Sequence, residues 1–180
     1  MKIKHIIFLI FALTFGFLSA QYTPYFQNFS LSEYNAGNQN WGVSRSENGL
    51  LYVANNNGLL EYDGLKWDFF ELPNKTTIRS VLALKDSIYT GSYEEFGYWK
   101  KNAKGTLVYN SLSDSIKKEI SPNEEIWQIV PFKDGIVFRS FLNIYIYKFS
   151  GEIKKIEPKS VVISCSVVNE KLYVATLKNG

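Results

Sequence analysis

Short runs in which apolar and polar residues alternate fill the chain after residue 40, and clusters of Gly, Asn, Asp and Pro cut them apart. Alternation with a period of two between turn signals predicts half-buried β-strands. One strand is written four times, as Leu51-Tyr52-Val53-Ala54, Ile88-Tyr89-Thr90-Gly91, Ile136-Val137-Phe138-Arg139 and Leu172-Tyr173-Val174-Ala175. Starts at 51, 88, 136 and 172 place the copies 37, 48 and 36 residues apart. A β-rich unit repeated at roughly 40–45 residues predicts a β-propeller blade, which cannot bury its apolar face alone. No segment after residue 20 holds a long helical period, apart from a turn or two around Ser113–Ile120.

The strands phase into an all-β chain of four-stranded antiparallel blades. Blade 1 (41–74) has an inner strand at Trp41–Arg45, a second at Leu50–Ala54, a third at Leu59–Tyr62 and a fourth at Trp67–Leu72. The pairs Asn48-Gly49 and Asp63-Gly64 are hairpin signals between them. Blade 2 (75–122) repeats the plan at Ile78–Leu84, Ile88–Gly91, Phe96–Trp99 and Leu107–Tyr109. Blade 3 (123–158) has Ile126–Val130, Ile136–Ser140, Ile144–Tyr147 and Glu152–Ile156. Blade 4 (159–180) shows only Val162–Val168 and Leu172–Ala175, which makes an incomplete ring of about three and a half blades. Pro73, Pro122 and Pro158 each fall between an outer strand and the next inner one, where no ladder N–H is needed. Two sandwich domains are the competing architecture, because short strands at even spacing also fit a sandwich. Propellers hold 4–8 blades, so the chain is expected to be the front of a longer protein. Residues 21–40 precede the first blade, and Tyr25–Phe29 is a candidate ring-closing strand for the last one.

The start of the chain reads differently. Lys2, Lys4 and His5 precede an apolar run from Ile6 to Leu18, and Ser19-Ala20 offers a cleavage site, so residues 1–20 are expected to be a secretory signal peptide. An uncut signal anchor is the alternative. Loss of residues 1–20 removes two of the 20 basic residues and none of the 17 acids, leaving a balance of +1. That leaves no basic field for nucleic acid. The single His, His5, leaves with the signal, which removes any His-based triad or His metal ligand. The one cysteine, Cys165, lies in an apolar run and reads as an inert core thiol. No phosphate loop, dinucleotide fingerprint or zinc spacing is present, and no cofactor is expected.

The run NQNWGVSRSENGLLYVANNNGLLEYDGLKW (38–67), with Ile78-Arg79-Ser80-Val81, the stretch from Ile88 to Trp99 and Ile126-Trp127-Gln128-Ile129, resembles the opening blades of bacterial two-component-regulator propeller proteins. The resemblance extends over about 25–180, and the NNGLLEYDG and YEEFGYW blocks are its more specific parts. It implies a periplasmic or extracellular sensor propeller, followed by a triple-tyrosine domain, a transmembrane helix and a helix-turn-helix or histidine-kinase output. None of those later parts is in this sequence.

In a propeller, the loops entering the inner strands and those joining the second and third strands share one face. That face is expected to carry Asn55, Asn56 and Asn57 from blade 1, Tyr93, Glu94 and Glu95 from blade 2, and Asn143 from blade 3. Arg79, Trp127 and Gln128 approach it from the inner strands. Amides, a guanidinium and flat rings suit an extracellular cue such as a glycan or another polar metabolite. The plain readings stand beside this one. Asn-rich corners are ordinary turn chemistry, and Trp41, Trp67 and Trp127 suit packing between blades. Glu94-Glu95 and Glu124-Glu125 are neighbours on a strand, so each pair points to opposite faces and makes no ready acid/base dyad. A non-enzymatic sensor is the first reading. A carbohydrate-binding or carbohydrate-processing propeller and a protein-binding scaffold are the alternatives.

Overall fold

The computed structural model describes residues 3–5 and 24–178. The proposed leader, apart from residues 3–5, lies outside the described residues, as do residues 21–23 and the last two of the chain. A short helix α1 (Leu31–Tyr34) precedes fourteen strands. These are β1 (Asn40–Arg45), β2 (Leu51–Asn55), β3 (Gly58–Tyr62), β4 (Trp67–Phe70), β5 (Ile78–Leu84), β6 (Ser87–Ser92) and β7 (Phe96–Lys101). They continue as β8 (Leu107–Ser111), β9 (Gln128–Phe132), β10 (Gly135–Arg139), β11 (Ile144–Lys148), β12 (Ile153–Ile156), β13 (Val162–Val168) and β14 (Lys171–Thr176). A 3-10 segment, Ser113–Glu119, sits between β8 and β9, where the sequence suggested a turn or two of helix.

The strands form three four-stranded antiparallel sheets, β1–β4, β5–β8 and β9–β12, and a two-stranded sheet, β13–β14. Inner strands adjoin in order, β1 beside β5, β5 beside β9 and β9 beside β13, so the sheets fan around a common axis. This is an unclosed β-propeller. The hairpins form where Gly49 and Gly64 take φ of 93° and 98°, values that favour glycine. Pro131 is tolerated inside β9 because an inner strand has one unpaired edge.

The repeated strand explains the seams. Alternate side chains of a strand leave opposite faces of its sheet. Tyr52 and Ala54 therefore face blade 2, packing with Leu59, Leu72, Ile78, Ile88, Trp99 and Leu107. Tyr89 turns the other way and joins Phe96, Ile126, Ile136, Phe138 and Tyr145 between blades 2 and 3. Val137 and Ile144 meet Val162 and Cys165 between blades 3 and 4. Both faces of the second strand are buried, so it is apolar at nearly every position rather than alternating. Cys165 is a buried free thiol, and burial pushes its pKa up, as an inert core cysteine requires.

Residues 24–30 are in no strand, and Tyr25 and Phe26 are exposed. Phe29 and Tyr34 pack edge-on to Trp67, which stacks on Tyr62. Trp67 therefore packs against the segment that precedes blade 1, on the face of that blade turned away from blade 2. The outer faces of β1 and β13–β14 stay open, with Val43, Ile163 and Tyr173 at least half exposed.

Candidate functional site

The corners and the entrance loops do share a face, because they are bonded to each other. Asn56 N donates to Gln39 O (3.1 Å), Glu94 N to Glu124 O (2.7 Å) and Val162 N to Phe141 O (2.9 Å). The ten sequence-selected residues fall into separate groups on and below that face.

Asn55 is buried and ties the blade 1 corner. Its Oδ1 accepts from Gly37 N and Asn57 N, both at 2.9 Å, and its Nδ2 donates to Gly37 O and Asn40 Oδ1, both at 2.7 Å. Asn56 accepts from the Trp41 indole N–H at 2.8 Å. Asn57 is exposed at the tip. Gln128 forms a two-way clasp to the backbone of Cys165, accepting at 2.9 Å and donating at 2.9 Å, and so closes the seam to blade 4. Asn143 is buried and donates to Glu124 Oε1 at 2.8 Å and Ser121 Oγ at 3.1 Å.

Glu124 is the centre of that last group, and the sequence did not single it out as a site. It is 2% exposed, and it accepts from Asn143, the Tyr145 hydroxyl (2.7 Å), Ser121 N (3.1 Å) and the Ser140 hydroxyl. Burial, then the carboxylate beside it, raises the Tyr145 pKa, so the phenol stays a donor. Glu125, its neighbour, turns away to Arg79, but the two acidic pairs are not strand neighbours as the sequence suggested: Glu124-Glu125 and Glu94-Glu95 lie outside the strands, so turn geometry rather than alternation sets where they point. Arg79 Nε and Nη2 reach Glu125 Oε1 at 2.9 and 2.8 Å. The same guanidinium lies 4.2 Å from the Trp41 ring centre and 4.9 Å from that of Trp127. Trp41 and Trp127 meet edge-on at 5.7 Å, so three blades contribute to one clamp. In β1 and β5, Trp41 and Arg79 sit where the strand register shifts, a bulge that re-aims a side chain.

Tyr93, Glu94 and Glu95 do meet in a cavity. It measures about 520 Å³ and lies between the connector Pro73–Thr76, the blade 2 corner, β8 and the 3-10 segment. Tyr109 and Ser111 of β8 complete its wall, with Asp114 and Lys117 at its rim. Glu95 is only 9% exposed. Its Oε1 accepts from the Tyr109 hydroxyl and the Ser111 hydroxyl, each at 2.8 Å. Burial, then the Glu95 charge, holds the Tyr109 pKa far above the ordinary tyrosine range. Glu94 takes φ of 50°, a left-handed conformation uncommon for glutamate. Asn123 holds it there, with its N–H on Glu94 Oε1 at 2.6 Å and its Oδ1 accepting from the Tyr93 hydroxyl at 2.7 Å. Tyr109 and Ser111 were missed because their role depends on β8 folding back under the corner. Their alternation with Val108 and Asn110 was the available signal.

No protein-family model matches this chain, and no curated protein matches it. Solved structures do. A streptogramin B lyase is similar at TM-score 0.60 and 15% identity, over 76% of this chain and 48% of the lyase. The extracellular domain of the hybrid two-component system BT4673 from B. thetaiotaomicron is similar at TM-score 0.58 and 16% identity, over 76% of this chain and 19% of that one. The extracellular domain of the hybrid two-component system BT3049 from the same organism gives 0.56 and 17%, over 83% and 21%. At these identities the likeness is one of fold, and the chain spans less than half the length of each of these structures.

Proposed function

We propose that this chain is the sensing part of an extracytoplasmic receptor: an exported propeller that binds a small polar cue at the blade 2 corner and does no chemistry on it. The observation that carries the reading is the cavity. Three residues chosen from the sequence, Tyr93, Glu94 and Glu95, line a space of a size typical of small-molecule sites. The extracellular two-component domains of the same fold, and the family resemblance of the sequence, support a sensory role. Arg79 and Trp127 then act as a rigid clamp beside the site. A cue can bias a receptor only by binding one arrangement more tightly than another. The corner is suited to this, because Glu94 and Tyr93 are bonded to the entrance of blade 3 and their movement is felt across the seam. A triple-tyrosine domain, a transmembrane helix and a DNA-binding or kinase output are the expected partners further along the chain. A processing enzyme is the second reading, favoured by the lyase of the same fold.

A thermal-shift screen of saccharides and polar metabolites on the full-length exported protein tests this. Lys117 is exposed at the cavity rim, so Lys117→Trp blocks the opening without disturbing the fold. A hit is expected to raise Tm in the parent protein, to lose its effect on Lys117→Trp, and to be recovered chemically unchanged. Conversion of the hit would favour the enzyme reading, and a shift untouched by Lys117→Trp would move the site elsewhere.

A further inference from the structure

We propose that the cavity takes a ligand bearing a protonated amine on a hydroxylated ring, an amino sugar, with Glu95 as the counter-ion. This rests on the reading that the cavity is the sensing site, and it adds the charge class of the ligand.

Three carboxylates, Glu94, Glu95 and Asp114, line the cavity against one ammonium, that of Lys117. The Lys117 Nζ lies 3.8 Å from Asp114, at the exposed rim. Among the described residues, Glu94 and Glu95 have no cationic partner. For Glu95 this is unusual, because the residue is only 9% exposed. A carboxylate removed from water needs an opposite charge or a full set of donors. Both of its protein donors fall on Oε1. Oε2 has no partner among the described residues and is not sealed from solvent, and the residue forms part of the cavity wall, so a ligand there would supply the missing partner.

A metal ion is the first rival for that position. Among the described residues no three acidic, His or Cys groups come together closely enough to hold one. An ammonium asks for less: three acceptors rather than a closed oxygen shell. Glu95 Oε2 supplies one acceptor. The Tyr93 hydroxyl gives its proton to Asn123, leaving its lone pairs as a second. Glu94 Oε2 is a third, since Asn123 bonds only Oε1. The Tyr93 and Tyr109 rings give flat apolar surface for a sugar face. Bulk anions are disfavoured by the same charges.

Titration calorimetry on the full-length exported protein, with the glucosamine tetramer and its fully N-acetylated counterpart, tests the assignment, because the rings are alike and only the amine differs. The glucosamine form is expected to bind at least about tenfold more tightly, the scale of one hydrogen bond to a charged group. Glu95→Gln, which keeps the shape and an acceptor for Tyr109 and Ser111, is expected to erase that preference and leave Tm unchanged. Lys117→Trp is expected to abolish binding of both. Equal or weaker binding of the glucosamine form, no binding of either tetramer, or an unaltered preference in Glu95→Gln overturns the assignment. If a neutral ligand from the screen is still lost on Lys117→Trp, the sensing site stands and only the amine fails. If the glucosamine form binds Lys117→Trp as well as the parent, both fail together.

Discussion

Arg139 occupies the position that Ala54, Gly91 and Ala175 fill in the other copies of the repeated strand. It is 7% exposed, its Nη1 donates to Val162 O at 3.3 Å, and its Nε has no partner among the described residues. Burial lowers its pKa, but a guanidinium stays charged. A buried cation without a carboxylate is a net cost, so Arg139→Met is expected to raise unfolding stability by about 1–4 kcal/mol, read from the denaturant midpoint. Glu124 is the opposite case. Its four donors leave little unsatisfied, and Glu124→Ala should cost about 3 kcal/mol or more by stranding them. Tyr52 and Tyr145, both buried, have pKa values raised first by desolvation and then by Glu61 and Glu124 respectively. A raised pKa stabilises the fold fully below the unfolded value and is lost as pH climbs past it. Unfolding free energy should therefore stay flat to about pH 10 and then fall by about 1.4 kcal/mol per pH unit for each such tyrosine. These residues show where the sequence fell short. Glu124 looked like half of an acidic pair, and only the fold reveals that Ser140, Asn143 and Tyr145 converge on it.

The strands were the most legible elements. β5 and β13 have the bounds that alternation predicts, and the other strands differ by one or two residues at their ends. The exception with a cause is β9, expected from Ile126 but starting at Gln128. Ile126 N donates across the seam to Ser92 O at 3.0 Å, so the chain is still bound to blade 2 there. Ile126 also packs where a Cβ on Gly91 would stand, with Ser80 Oγ at 2.6 Å from the same point. Gly91→Ala is expected to cost about 1–3 kcal/mol by overpacking this seam. The clamp is a seam element too. Arg79→Ala is expected to lower stability by about 1–2 kcal/mol, with Arg79→Lys failing to restore it, because lysine cannot both fork onto Glu125 and stack on the indoles. The corners were legible as a set, since loop position named Tyr93, Glu94 and Glu95. Their functional differences were not: Asn55 and Asn143 became buried knots while Glu95 opened into a cavity.

At the scale of the molecule, each seam is built from two neighbouring blades, so stability accumulates along the fan as in other repeat folds. Residues 24–178 leave open the outer edge of β14 and the exposed side chains of Ile163 and Tyr173. A segment 21–180 made alone is expected to self-associate through that edge; a monodisperse, cooperatively unfolding segment in sedimentation and thermal melts would contradict this. Blade phase followed from four short copies and three prolines, whereas the cavity depended on the long excursion of blade 2, whose 3-10 segment closes the rim. Amide hydrogen exchange on the full-length protein, with and without a ligand taken from the screen, tests most directly the proposal that the blade 2 cavity is the sensing site. Protection is expected to concentrate at residues 92–95, 109–111 and 113–119, with a smaller effect at 121–126 across the seam. Protection confined to the inner-strand clamp around Trp41, Arg79 and Trp127, with the blade 2 corner unchanged, would contradict it.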